Sequence, residues 1–482
     1  MGATGRQYLA STACSLSVAM TAICFTWLEP LMSRLTAPDS EIPMNTDHTS
    51  WLVASVEFGE MFITLPAGLL ADRYGRKPLL LMTGPMCMVS WILILTTRSL
   101  TVLFVVRIIQ GAAVAIVYTV APMYIAEISE PRIRGELSGH FQTMWYLGIL
   151  YVYVTGPFLS YQNYTYCCAI TPILFFALFV MMPESPFYLL MVDRSKDAER
   201  SLIWLRATKQ VDDEYHAIRS SVQEDMKQKG SWRDLIATKK DRKAFFIVQV
   251  VCFIKYLNGM PAVVSYSTQI FQAAHTGHIS HSHLTIIMGV ILCVTTFLAA
   301  FMSDSVGRRP LLIISTLGSV LFNIIIGGYM YLAAETRIDV NSYQWVMYTA
   351  VAGFCIVSNI GLGPLMQTIQ AEFFPSHTRG IGSGMTEITA SVATFFNLKQ
   401  YQTVTDLFGV YMNFWIFALF GLIGAITLCL VLPETAGKSL GQIQHEFEDS
   451  VVVEKIGSNE TVNSVQSQDI VKVNTKSEAT KL

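Results

Sequence analysis

"GLLADRYGRKPLLL" (residues 68–81) and "AAFMSDSVGRRPLLI" (residues 299–313) carry one pattern twice. Each reads Asp, two residues, Gly, Arg, a basic residue, Pro, Leu, Leu, beginning at Asp72 and at Asp304. Each copy also ends a long apolar run and opens another. Working outward, apolar runs of nearly the ~20 residues that a bilayer-spanning helix needs lie near 8–34, 51–71, 78–97, 101–125, 137–159, 165–182, 244–272, 284–303, 310–333, 343–366, 381–402 and 408–431. The two copies fall after span 2 and span 8, at corresponding places in two sets of six. A chain of 482 residues that is 52% hydrophobic and only 14% charged, with a mean hydropathy of +0.44, falls well short of the ~25% charged residues usual in soluble domains. The expected fold is an all-α membrane protein of twelve transmembrane helices in two six-helix bundles. Internal repetition of this kind marks proteins that rock around a central site.

The expected divisions are a first bundle over 1–183, a polar linker of short amphipathic helices over 184–243, a second bundle over 244–432, and a mostly disordered tail over 433–482. The tail is rich in Ser, Thr, Asn, Val and Lys and has no aromatics. Basic residues set the expected orientation. Arg73, Arg76 and Lys77 follow span 2, Arg132 and Arg134 follow span 4, Arg308 and Arg309 follow span 8, and Lys and Arg recur from Arg194 to Lys243. The opposite loop "APDSEIPMNTDHTS" (37–50) has acids and no base. Both termini are therefore expected in the cytoplasm, in a multi-pass plasma-membrane protein, and "NYT" at Asn163 is expected as an outer glycosylation acceptor. The apolar run near the N-terminus continues to about residue 33, so it reads as a span and not a signal peptide. Cysteines such as Cys14, Cys24, Cys252 and Cys355 sit within apolar runs and read as small buried hydrophobes. "HTGHISHSH" places His275, His278, His281 and His283 in one outer loop, read as solvated side chains and not a metal site.

The residues "GLLADRYGRK", "RIIQG" (107–111), "APMYIAEISEPRIRGELSG" (121–139), "PESPFYL" (183–189), "SYSTQIF" (265–271), "SDSVGRRPLL" (303–312), "AEFFPSHTRG" (371–380) and "LPETAGKSL" (432–440) resemble the sugar-porter family of the major facilitator superfamily. The opening "FTWLEPLMSRL" (25–35) is similar to first spans of the insect facilitated trehalose-transporter group. This resemblance implies a major facilitator fold and facilitative alternating access for a hexose or trehalose-like disaccharide, with no cofactor and no enzymatic step. It also implies linker-side gating clusters at Asp72, Arg73, Arg76, Glu127, Arg134, Asp304, Arg308, Glu372 and Arg379, which would lock the outward-open state. Two other functions stay open: a diverged carrier of a charged or polyol-like solute, with or without protons, and a transport-inactive sugar sensor. The chain has no P-loop, no metal-ligand set and nothing that suits nucleic acid. The expected partners are a small solute and the bilayer.

A sugar needs neutral bidentate groups and a flat aromatic face. By resemblance, Gln142 matches a sugar-binding glutamine of span 5, and Tyr266 matches one of two outer gate tyrosines, the other being Ser265. The remaining family positions are changed. Lys255, Tyr256 and Pro261 stand in span 7, Leu292 in span 8, and Met366 and Gln367 in span 10. Gln367 can still bond a hydroxyl. Lys255 lies about 18 Å along the helix from Lys243, inside a ~30 Å hydrocarbon core, where an unpaired charge costs at least ~2.5–3.5 kcal/mol. Glu29, Glu57, Glu60, Arg107 and Glu387 are also charges within spans. The expectation is that Glu29, Arg107 and Lys255 share one network in the cavity, either neutralising one another, binding cargo or moving protons. Glu57 and Glu60, a turn apart, are expected in helix packing nearer the outside. The expected substrate set is thus Gln142, Lys255, Tyr256, Tyr266, Gln367, Glu29 and Arg107.

Overall fold

The computed structural model describes residues 2–37, 40, 42, 44–227, 231–274, 279–336, 340–374 and 376–433. Twelve long helical segments stand in chain order. The first half has Ala3–Leu35 as span 1, Thr46–Tyr74 as span 2, Arg76–Thr96 as span 3 and Leu100–Ile128 as span 4, then Arg134–Thr155 as span 5 and Tyr161–Phe179 as span 6. The second half runs from Lys239 through Ala273 as span 7. It continues with His281–Val306, Arg308–Glu335, Gln344–Phe373, Ser376–Phe408 and Val410–Val431 as spans 8 to 12. Among the described residues, 9 helices are long and apolar enough to cross a membrane by length and composition. Spans 5, 6 and 11 fall short because they carry polar groups such as His140, Gln142, Gln162, Asn163, Glu387 and Lys399. Several helices are longer than the apolar runs: span 10 has 30 residues, about 45 Å at 1.5 Å each, so it extends past the hydrocarbon.

The repeated motif is one turn made twice. Gly75 (φ 107°, ψ 160°) and Gly307 (φ 97°, ψ 151°) join spans 2–3 and 8–9, a backbone conformation that only glycine adopts freely. Span 1 breaks at Trp27–Leu28, just ahead of Pro30, which has no N–H to continue the helix. Span 7 breaks at Gly259 (φ 99°) and again at Tyr266. These breaks divide runs that the sequence marks as single spans.

Spans 1–6 pack on one another, as do spans 7–12; span 2 meets span 11 and span 5 meets span 8 across the middle. Spans 2 and 4 cross with almost no side chain between them. A Cβ on Gly59 would strike the main chain at Ile108, and one on Gly111 would strike the main chain at Val56, the small-residue crossing used in membranes. That crossing puts Glu57 near Arg107. The linker docks on the first half. Arg206 pairs with Glu214 (2.6 Å) and donates to the Ile128 carbonyl (3.0 Å), and Arg6 donates to the Trp204 carbonyl (2.9 Å). The tail beyond residue 433 lies outside the described residues.

Candidate functional site

A cavity lies where the halves meet, with about 1070 Å³ of empty space when the open solvent at its mouth is counted. The first half lines it with Glu57 and Glu60 of span 2, Tyr118 of span 4, and Gln142, Trp145 and Tyr146 of span 5. The second half supplies Lys255 and Tyr256 of span 7, Asn359, Gln367 and Gln370 of span 10, and Glu387 of span 11. Of the expected substrate residues, Gln142, Lys255, Tyr256 and Gln367 face this space. Glu29, Arg107 and Tyr266 do not line it.

Lys255 donates from Nζ to the Gly363 carbonyl (3.2 Å) and sits over the Tyr256 ring at 5.3 Å. The carboxylate whose charge acts on it is Glu387. Glu29 lies elsewhere. Its Oε1 accepts the Ser267 hydroxyl (2.6 Å) and the Thr268 N–H (2.8 Å), just past the break in span 7. Arg107 is fully buried and donates to four main-chain carbonyls: Cys24 (2.5 Å), Phe25 (3.2 Å), Leu52 (3.0 Å) and Val53 (3.0 Å). These belong to the last turns of Ala3–Thr26 and Thr46–Ala54, whose final carbonyls lose their helical partners. A cation is also favoured at two helix C-termini. Arg107 therefore caps two broken helices, and the expected Glu29–Arg107–Lys255 network is three separate arrangements. The reason is rotational: depth along a helix was legible, but the face each residue takes after a break was not.

The expectation for Glu57 and Glu60 also changes, since both line the cavity. Among the lining residues that were missed are Tyr118, Trp145, Asn359 and Gln370. Asn359 is buried, and its Nδ2 donates to the Leu292 carbonyl (3.1 Å) and to Thr295 (3.2 Å); Gln370 lies on the same helix toward the linker. An asparagine inside the apolar run "CIVSNIGLG" was the available signal.

Hydrogen bonds join the halves at the end away from the linker. Besides those of Glu29, the Tyr153 hydroxyl donates to the Val264 carbonyl (2.7 Å), Lys399 pairs with Asp47 (2.5 Å), and Thr46 donates to Asp406 (3.0 Å). Tyr266 is buried there, stacked on Tyr401 at 4.5 Å and donating to the Leu398 carbonyl (3.1 Å). Asn163 is exposed at this end. His275 and His278 lie outside the described residues; His283 packs against Phe158 at 6.0 Å.

At the linker end, ion pairs form within each half. Arg76 pairs with Asp72 (3.1 Å) and Glu127 (3.0 Å), and Ser185 donates to Glu127. Arg308 pairs with Glu372 (3.4 Å). Arg134 donates to the Ser129 carbonyl (3.3 Å) and Arg379 to the Phe374 carbonyl (3.4 Å). Arg73 lies over the Tyr74 ring at 5.4 Å. The Asp304 side chain lies outside the described residues. Glu184 of "PESP" accepts the Lys77 N–H (3.1 Å) and the Ser185 N–H (2.8 Å). Burial raises its carboxyl above the ordinary value, against those two N–H groups, which lower it.

A helical membrane protein whose two like halves enclose a cavity that carries polar side chains from both, and are tied together at one end of it, is a transporter of the alternating-access kind. The chain belongs to the sugar (and other) transporter family, whose model matches residues 10–447. It is similar to the facilitated trehalose transporter Tret1 of Bombyx mori, 27% identical over 404 residues that cover 84% of this chain and 80% of that one. The Tret1 of Apis mellifera ligustica is 26% identical over 449 residues, 92% of this chain and 89% of that one. The chain spans 55% of the length of the Tret1 of Aedes aegypti, at 27% identity over 444 residues and 92% of its own length. Among solved structures, the inward-open xylose transporter XylE from E. coli superposes with a TM-score of 0.75 at 20% identity, over 90% of this chain and 98% of that one. The proton:xylose symporter XylE bound to 6-bromo-6-deoxy-D-glucose gives 0.74 at 20% identity, over 92% and 99%. At these identities the likeness shows the fold, which is the major facilitator fold. The chain is a membrane transporter of a sugar-transport family and not an enzyme.

Proposed function

We propose that the protein moves a sugar, a hexose or a trehalose-like disaccharide, down its gradient across the plasma membrane by alternating access. The observation that carries this reading is the cavity itself: amides from both halves and aromatic faces around one shared space. Gln142 and Gln367 offer paired donor and acceptor groups to hydroxyls, and Trp145 and Tyr256 offer faces to the C–H side of a ring. Lys255 takes the place of the family's glutamine as a hydroxyl donor. Glu29 and Tyr266 act on cargo indirectly, by closing the far end, and Arg107 acts by holding spans 1 and 2 in shape.

In this reading the linker and both termini are cytoplasmic and Asn163 is an outer glycosylation acceptor. The chain divides into bundles over 1–183 and 244–432, a linker over 184–243 and a tail over 433–482. Asp72, Arg73, Arg76, Glu127 and Arg134 of one half, and Asp304, Arg308, Glu372 and Arg379 of the other, bias the equilibrium toward the outward-open state when the halves approach at the cytoplasmic end. The test is uptake of labelled glucose and trehalose into oocytes with surface protein quantified. At least one sugar is expected to enter at a saturable rate, reduced about tenfold or more in Gln142→Ala. Absence of both despite surface expression would overturn the reading.

A further inference from the structure

The stretch 231–243 joins the linker to span 7. It carries five basic residues, Arg233, Lys239, Lys240, Arg242 and Lys243, against two acids. Both acids are used locally. Asp234 accepts the Ser231 N–H (2.6 Å), and Asp241 closes a capping box with Thr238 that starts span 7. Elsewhere at the linker end Arg76, Arg206 and Arg308 each pair with a carboxylate. Among the described residues, Arg233, Lys239 and Arg242 form no ion pair. Arg233 lies over the Trp232 ring at 5.4 Å, and Arg242 donates to the Thr238 carbonyl (3.4 Å). All three are exposed.

The rotation of span 7 aims these bases. Between Lys239 and Leu257 the exposed residues are Lys239, Arg242, Phe246 and Phe253, and no others. Their spacings are those of a single helix face. The opposite face sends Ala244, Ile247, Val248 and Val251 into the core of the second half. Exposed phenylalanines on the outside of a membrane-spanning bundle meet acyl chains. Arg242 stands one turn nearer the linker than Phe246, about 6 Å along the axis, which is the depth of the headgroups. The turn ahead of the helix adds apolar surface. Leu235 is buried in the same core, while Trp232 and Ile236 remain exposed. An indole, apolar with one N–H, suits that boundary. Bases beside exposed apolar side chains, at the end of a lipid-facing stripe, complement phosphates lying over hydrocarbon.

We propose that the 231–243 junction docks on anionic phospholipid headgroups of the leaflet on the linker side. Arg233, Lys239 and Arg242 meet the phosphates and carboxylates, and Trp232 and Ile236 enter among the upper chain segments. The inference rests on the cytoplasmic placement of the linker in the sugar-carrier reading, because that leaflet holds the anionic lipid. It gives span 7 an anchor at the end opposite the contacts that Ser267 and Thr268 make with Glu29.

The experiment uses the full-length protein in phosphatidylcholine vesicles that contain a minor share of brominated lipid, either phosphatidylserine or phosphatidylcholine. Tryptophan quenching is measured, and the difference between wild type and Trp232→Phe isolates Trp232. Its quenching is expected to be about fivefold stronger with brominated phosphatidylserine. That ratio should fall to about one in high salt and in a triple variant, Arg233→Gln with Lys239→Gln and Arg242→Gln. Equal quenching by the two lipids in low salt overturns the proposal, as does quenching by neither. A preference that survives in the triple variant overturns it too, since other groups then carry it. Inorganic phosphate should relieve the preference no more than chloride at matched ionic strength; stronger relief marks a small-anion site and also overturns the proposal. If the triple variant fails to fold, the salt comparison on wild-type protein keeps the test. Both leaflets are alike, so the direction of insertion does not matter. No sugar is used, so failure here leaves the sugar-carrier reading standing, and absence of uptake with the lipid preference intact ends that reading alone.

Discussion

Lys255 and Glu387 line the same cavity from spans 7 and 11, and Lys255 keeps a carbonyl bond to span 10 besides. Removing one of two opposite charges that share a cavity leaves the other unanswered there, whereas removing both is milder. Lys255→Gln and Glu387→Gln are each expected to cut uptake per surface molecule by about tenfold or more, and the double variant to recover a good part of it. Three uptake rates, normalised to surface protein, check this; a double variant worse than either single would show that the two side chains act separately. Arg107 belongs to a different category. Its bonds go to carbonyls at two helix ends, so Arg107→Leu should cost folding before it costs affinity. We expect little Arg107→Leu protein at the surface, and partial rescue by Arg107→Lys, which keeps the charge and loses the fork geometry.

The elements explain why much of the fold could be read in advance and much of the site could not. The motif beginning at Asp72 and Asp304 was legible because its glycine is a backbone requirement, met identically at Gly75 and Gly307. Apolar run lengths marked the spans because the bilayer sets them, least sharply for spans 5, 6 and 11 with their polar groups. The partners of Arg107 were not legible, because main-chain carbonyls leave no trace in side-chain identity and become acceptors only where Pro30 and the break at Ser55 end a helix. Glu57 and Glu60 were misplaced because the Gly59–Gly111 crossing, which sets the rotation of span 2, shows only once both helices are packed. That crossing is testable: Gly111→Val should push spans 2 and 4 apart and lower the melting temperature of detergent-purified protein by several degrees, with a matching loss of uptake. Glu184 offers a second measurement on the turn that joins the linker to spans 2 and 3. Its carboxyl sits above the ordinary value in the folded protein, so the fold favours the protonated form. That contribution is fully present below the unfolded value and is lost as pH rises through the raised one. Glu184→Gln, which can still accept the Lys77 and Ser185 N–H groups, should flatten the fall of melting temperature between mildly acidic and neutral pH.

The molecule as a whole is held in one of its two states, and the bonds that hold it are unevenly placed. Glu29 to Thr268, Tyr153 to Val264 and Lys399 to Asp47 tie the halves together at the far end, while Arg76 with Glu127 and Arg308 with Glu372 stay within their own halves at the linker end. Spans 2 and 11 and spans 5 and 8 are surfaces on which the halves meet. A ligand or substitution moves such an equilibrium only by its difference in free energy between the two states. Lys399 is well suited to test this. Its Nζ contacts Asp47, the Ser50 hydroxyl (2.9 Å) and the Trp51 ring (4.9 Å) on span 2, contacts that exist only while the far end is shut. Partly exposed charge contacts of this kind are worth about 1 kcal/mol or less each, so Lys399→Ala should shift the populations by several-fold toward the far-end-open state and not abolish transport. Its readout is labelling of a cysteine placed at Thr268, which Glu29 covers in the shut state: a membrane-impermeant thiol reagent should react several-fold faster in the Lys399→Ala background. An unchanged labelling rate would mean that Lys399 decorates the interface without holding it, and that Glu29 and Tyr153 carry the closure alone.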